Sequence, residues 1–521
     1  AIHGRIARFA EPSGLLAASS LTRHFELAGD FEKAAAHAAI AGAEAEAALA
    51  FDFAATMYAR VVALEPENEA TLREARRGRA RSLYLAGRCA EAGAAFLEAA
   101  RTADRREARD LERQAVEAYL SFGHVAEALA VLEPLLAAEG MPFPKTQGAI
   151  VYHAAKSILG VRAHTTRAPR PSARPDPEAA ARSDLALSAG KGLTNIAPAQ
   201  GVVLTLSSLI FALRSGDAFR ISRGLSLAGT GFAPGLADVG ERYLAWASEI
   251  AERQDDDHLR VIHLVSDGTR GFVLGDWDRC LESSTKGLAL AARTAAPTSW
   301  EEAIANTFTC AAYEYKGDLV QMESRSRENL RGIRERGNRI NQVMVVSGLG
   351  YTLAARHASE ALDEVIDEMQ RLMADWTVPF PFWEAFRLRL RCLRALCWGD
   401  PLGALALIEE HWPKLEEHRL LTLPVISAPI HCVRSAVMLE AAARGLVPRR
   451  VALRDAKRSA RILDRAERAE GPAAAAIARA SIAHQRSEDA ERDRHLAHAI
   501  EIAREAKMGI IERMAGRALA L

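Results

Sequence analysis

Residues 79–100 read RARSLYLAGRCAEAGAAFLEAA, and how this stretch is read decides the fold. Gly87 stands between two segments of mixed small and bulky apolar side chains. Ala80 precedes it by seven residues, and Ala92 and Ala99 follow it by five and twelve. Small side chains at those places let two antiparallel helices approach closely, while Leu83, Leu85, Phe96 and Leu97 supply the bulk between them. Glycine accepts the positive φ that closes a helix C-terminus, and Arg88 leads directly into a second helix. The stretch is therefore a helical hairpin. A unit this small cannot bury its apolar face alone, and stacking further hairpins into a solenoid is the physical solution.

The same signature recurs at Gly29-Asp30, Gly123-His124, Gly216-Asp217, Gly275-Asp276, Gly317-Asp318 and Gly399-Asp400. Asp after the glycine suits a helix N-cap, because its carboxylate accepts from free backbone amides. Five residues past the turn, Ala34, Ala92, Ala128, Cys280 and Ala404 keep the crossing small, whereas Met322 breaks the rule. An aromatic ring stands four residues before the turn at Phe25, Tyr119 and Tyr313. Most intervals fall near one or two units of the roughly 34–45 residues typical of helical hairpin repeats. The longer gaps are expected to hide degenerate copies, one over 49–65 stopped by Pro66 and another over 353–373.

Composition agrees with an all-helical chain. Of 521 residues, 49% are apolar and only 6% aromatic, with 67 basic against 67 acidic side chains, so no global field points to nucleic acid. Nor is a membrane partner expected: the longest apolar run, 201–213, is shorter than the roughly 20 residues of a membrane span, and no signal peptide is visible. Six cysteines without a CxxC pair fit a reduced, cytoplasmic setting. The start at Ala1 without Met is expected of a fragment. Prolines 169, 171, 175 and 177, interleaved with arginines, preclude a helix. The chain is accordingly divided into an N-terminal array (1–160), a Pro/Arg-rich connector (161–181) and a C-terminal array (182–521). One helix is expected over 449–470, ended by Gly471-Pro472, and a last pair over 473–484 and 489–506.

Little in the sequence carries chemistry. Gly190-Lys191-Gly192 lacks the glycine and hydroxyl residue of a phosphate loop. Asp255-Asp256-Asp257-His258 reads as a solvated turn at a helix end, and Cys392 and Cys397 as small core residues. Glu409-Glu410-His411 and Glu416-Glu417-His418 repeat at seven residues, with Pro413 expected to start a new helix between them; further donors for zinc are lacking. No catalytic residue, cofactor or metal ligand is assigned, and the chain is expected not to be an enzyme. Nine Lys or Arg over 444–468 read mainly as a solvated surface with the capacity to meet an anion. The partner-binding candidates are the aromatics of the loop WTVPFPFW and its exit, namely Trp376, Phe380, Phe382, Trp383 and Phe386. Proline-braced rings of this kind offer a peptide a contact of low entropic cost.

In order along the chain, RHFELAGDFEKAAAHAAIAGAEAEAALAFDFAATMYARVV (23–62), LIFALRSGDAFRISRGLSLA (209–228), RGFVLGDWDRCLE (270–282) and LRALCWGDPLGALALIEEHWPKL (393–415) carry a resemblance. The chain resembles the tetratricopeptide-like C-terminal region of large bacterial serine/threonine kinases, best known from myxobacteria, that carry a STAND-type ATPase module. The resemblance implies a sensory or regulatory arm that binds a protein or peptide, including the parent's own modules, and adjusts the kinase and ATPase activity. No kinase motif lies in these residues. The alternative is the inducer-binding repeat domain of a STAND-type ATP-dependent transcription regulator.

Overall fold

The computed structural model describes residues 2–141, 143–194, 196–231, 237–294, 298–335, 339–374, 376, 382–466 and 468–520. Among the described residues there is no β-strand, and the chain is a succession of α-helices. The first group is α1 (Ile2–Ser13), α2 (Ala18–Ala28), α3 (Phe31–Ala47), α4 (Phe51–Leu64), α5 (Glu69–Leu85), α6 (Cys89–Ala100), α7 (Arg105–Phe122), α8 (Val125–Ala138) and α9 (Gln147–His164). Then come α10 (Pro177–Leu193), α11 (Pro198–Ser215), α12 (Ala218–Thr230), α13 (Ala237–Gln254), α14 (Asp257–Leu274), α15 (Trp277–Ala291), α16 (Ser299–Lys316), α17 (Leu319–Glu335) and α18 (Arg339–Ala355). The last are α19 (Ser359–Met373), α20 (Glu384–Cys397), α21 (Pro401–Glu417), α22 (Pro424–Ala443), α23 (Arg449–Leu463), α24 (Glu470–Gln485), α25 (Asp489–Glu505) and α26 (Gly509–Leu519).

The hairpin corners behave as their residues require. All seven turn glycines are left-handed, with φ from 72° at Gly216 to 84° at Gly123. Each Asp that follows caps the next helix: Asp30, Asp217, Asp276, Asp318 and Asp400 accept from Lys33, Arg220, Arg279, Gln321 and Gly403 backbone amides. Ala34, Ala92, Ala128, Cys280 and Ala404 are fully buried at the crossings, and so is Met322, whose larger side chain still finds room. The hidden hairpins keep the left-handed corner but place a side chain on it, with φ of 59° at Leu49, 49° at Asp255, 56° at His357, 61° at Ser487 and 52° at Lys507. Each such corner costs about 1 kcal/mol or more relative to glycine. That substitution is why the repeat is hard to see in the sequence.

Three expected boundaries differ. The connector expected over 161–181 is shorter, because α9 runs to His164 and Pro177, counted among the prolines that preclude a helix, instead opens α10. Residues 449–470 do not form one helix: α23 ends at Leu463, and Pro472 sits in the first turn of α24, where its missing N–H costs nothing. Conversely α21 runs unbroken through Pro413, so His411 lies mid-helix while His418 caps its end.

An inner row runs through the molecule, in which α7, α10, α12, α14, α16, α18, α20, α22 and α24 each pack on the next. The Pro/Arg segment is non-helical from Thr165 to Asp176. It is tied to a hairpin corner, Ser172 donating to the Gly216 carbonyl at 2.8 Å and Asp176 to that of Ser215 at 2.8 Å. Because α7 packs on α10, the inner row passes across that segment.

The spiral also returns to its own flank, with α18 against α7 and α26 against α16. At the first seam the Arg339 guanidinium lies 4.8 Å from the centre of the Phe122 ring. At the second, Trp277 donates from Nε1 to the Ala506 carbonyl at 2.8 Å and stacks on Tyr315 at 4.4 Å, with Arg468 over the same rings. One helix among the described residues, Val425–Ala443, is long and apolar enough to cross a membrane. Here Ile426, Ile430, Val433, Val437 and Ala441 along it are buried in the largest core cluster.

Candidate functional site

The inner row sets its polar side chains around two adjoining cavities of about 600 and 690 Å³. Both are lined by Arg113 of α7, Asp184 of α10 and Arg220 of α12, so the two cavities meet at these side chains and are treated together as the groove. The first extends along α14, α16 and α18 through His258, Trp300, Glu301 and Asn341.

Asp184 is the hub. Its carboxylate accepts from Arg220 Nη2 at 2.6 Å and Nε at 3.1 Å, and from Arg223 Nη2 at 2.6 Å. Burial alone would raise its pKa, but the hydrogen bond from Arg220 and the charge of Arg223 hold it below the ordinary carboxylate range. Arg113 donates to Glu117 at 3.1 Å and to Ser188 at 2.8 Å.

Across the groove, Lys191 of α10 reaches Glu301 of α16 at 2.8 Å, while its ammonium sits 4.0 Å from the Trp300 ring centre. Glu301 is only 2% exposed; burial opposes its ionisation, yet Lys191 keeps its carboxyl below the usual range. His258 beside this pair is pushed down by burial, with Lys191 and Arg223 adding to the effect. A buried pair with one partner removed leaves an uncompensated charge, so Lys191–Glu301 fixes the spacing of α10 and α16. The site thus presents fixed cations, fixed carboxylates and the faces of Trp300, Phe96 and Tyr84. Such a set holds a polar, mixed-charge ligand by shape and by charge-assisted hydrogen bonds.

The sequence-predicted aromatics lie elsewhere. Trp376, Phe382 and Trp383 are buried, Phe386 is half-buried, and Phe380 lies outside the described residues. Trp383 packs on Phe386 at 4.7 Å and on Phe382 at 5.2 Å within the largest core cluster. Trp376 closes the first seam: a Cβ built on Gly123 would fall 2.4 Å from its Cδ1. These rings are occupied by the core and by the seam, because a loop rich in apolar rings between two stacked helices gains more from burial than from facing water. Trp376, Phe382 and Trp383 are therefore turned inward rather than offered on the surface.

The other singled-out motifs also resolve into packing. Lys191 stands within α10, so Gly190-Lys191-Gly192 is helix rather than loop. Asp256 caps α14 through Leu259 N, and Asp255 and Asp257 each take Arg260 at 2.7 Å. His411 is buried, 3.4 Å from Glu384. No group of three or more His, Cys, Asp or Glu side chains is placed to hold a metal ion among the described residues. Cys392 is buried as expected and Cys397 is exposed. Burial pushes the thiols of Cys89, Cys280 and Cys392 up to about 12.

Sequence reasoning passed over the groove. Its residues come from helices far apart in the chain, and the only trace was their charge on otherwise apolar helices such as α10 and α12.

The fold is a helical-hairpin repeat solenoid, with charged cavities along its inner row. No protein-family model matches the chain, and no curated protein matches it. Among solved structures it is similar to a Rap protein complexed with competence and sporulation factor, at 11% identity and a TM-score of 0.41. That likeness covers 83% of this chain and 98% of the other.

Proposed function

We propose that the chain is a binding scaffold that takes a polypeptide segment of a partner into the inner groove. The observation that carries this reading is the pair of cavities that share Arg113, Asp184 and Arg220, which sets several fixed charges side by side along the inner row. Peptide backbone and mixed-charge side chains satisfy both the guanidiniums and the carboxylates, which an apolar ligand does not. The larger role follows the resemblance: a regulatory arm of a serine/threonine kinase carrying a STAND-type ATPase. Such an arm acts on the parent only through different affinity for its active and inactive states. The volume of the first cavity, about 600 Å³, also suits a small inducer, as in the STAND-type transcription regulator reading.

Peptide display against the purified chain tests the proposal. Selected peptides should lose about tenfold or more in affinity with Arg220→Ala and with Gln114→Trp, which fills the groove. Peptides that bind both variants as tightly as the parent chain place the site elsewhere. Selection of small inducers but no peptide supports the second reading.

A further inference from the structure

Beyond the groove, we propose that the outward face of α23 is a docking surface for an acidic segment of a partner protein. The helix carries Arg449, Arg450, Arg454, Lys457, Arg458 and Arg461, all exposed. At 100° per residue, the last five fall within an arc of about 100°, opposite buried Ala452, Ala456, Ser459 and Leu463. The acids that would neutralise them are taken by other helices. Asp455, the one acid within α23, accepts from Arg434 at 2.7 and 2.9 Å, and Asp464 at its end is held by Arg479. Since the whole chain is balanced at 67 against 67, this is a local excess of positive charge set by tertiary pairing.

The face borders a cavity of about 530 Å³ formed with α24 and α25, which shares no lining residue with the inner groove. Lys457 and Arg461 line it from α23, Arg479 and Arg486 from α24 and its C-cap, and Glu488 and Glu491 from the N-cap and first turn of α25. Two features favour a polypeptide over nucleic acid. The cavity has no Phe, Tyr or Trp among its lining residues on which bases could stack, and its two glutamates would repel a phosphate backbone. A peptide with carboxylates toward α23 and a neutral or basic side chain toward Glu488 suits both kinds of charge. From Arg450 to Arg461 the row rises about 16 Å, enough for three turns of an acidic helix.

The test uses the whole chain and a fluorescein-labelled oligoglutamate peptide followed by anisotropy. Saturable, salt-weakened binding is expected, reduced about tenfold or more by Arg454→Glu/Lys457→Glu/Arg461→Glu and left unchanged by Arg220→Ala in the groove. The neutral pair Lys457→Gln/Arg461→Gln should give a smaller loss in the same direction, and it decides the matter if the triple variant melts early. Absence of binding, equal binding by the parent and the neutral pair, or displacement of the peptide by lower concentrations of a DNA oligonucleotide overturns the proposal.

Discussion

Helices α2–α5 and the stretch from α18 to α22 use the same hairpin but close it in opposite ways. In α2–α5 the contacts are made by small residues, among them Ala34, Ala35, Ala38, Ala54 and Ala75, in several separate clusters. Tyr58 is gripped between two helical glycines there; a Cβ on Gly42 or Gly78 would come within 2.8 or 2.7 Å of its ring. In α18–α22 one continuous cluster is filled by Trp383, Phe382, Met369, Met373, Leu388 and Ile430. Close backbone approach does the work in the first region and side-chain volume in the second. The first should resist shrinking and fail on enlargement, and the second the reverse.

The largest effect is expected from Trp383→Ala, about 3–5 kcal/mol of lost unfolding free energy measured by denaturant titration. A loss below about 1 kcal/mol would break the idea that volume holds this region.

Next is a pH effect confined to the same region. His431 is 5% exposed, 3.2 Å from Ser459, with Arg434, Arg458, Asp455 and Glu416 around it. Burial, with Arg434 adding, pushes its imidazole down to about 4. The unfolded chain therefore binds the proton more readily, so this stability is fully present above about 6.5 and is lost as pH falls toward 4, by up to about 3 kcal/mol. His431→Gln should flatten the pH dependence over that window, and an unchanged slope would contradict the assignment.

In the small-residue region Gly78→Ala should cost about 1–3 kcal/mol, although the same change in an open helix would stabilise it. The double variant Gly78→Ala/Tyr58→Phe should not recover the loss, since the clash is with the ring rather than the hydroxyl. The smallest effect is at a corner outside both regions: Ser487→Gly should gain about 1 kcal/mol, read as a higher thermal midpoint, by relieving its φ of 61°.

Much of the fold was legible because it is local. Gly87 and its six counterparts, the Asp caps and the alanine five residues on are neighbours in sequence, so helix, corner and crossing could be read together. Leu49, His357 and Ser487 hid their hairpins because the backbone kept a conformation that the residue type does not advertise. For Trp376, Phe382 and Trp383 the sequence supplied apolar rings beside prolines but no means of telling a buried ring from an offered one. The break between α23 and α24 escaped because Pro472 reads as a terminator when it in fact opens a helix.

By itself the sequence determined that this protein is built of stacked helical hairpins, since corner chemistry and helical periodicity act within a few tens of residues. Only the tertiary structure decided where the spiral meets itself, at Gly123 and Trp376, and which charges are spent on partners. Lys191 meets Glu301, and Arg434 takes Asp455 out of α23, because the curvature of the stack brings them together. That curvature is the sum of small rotations at every crossing, a quantity no single stretch of residues contains.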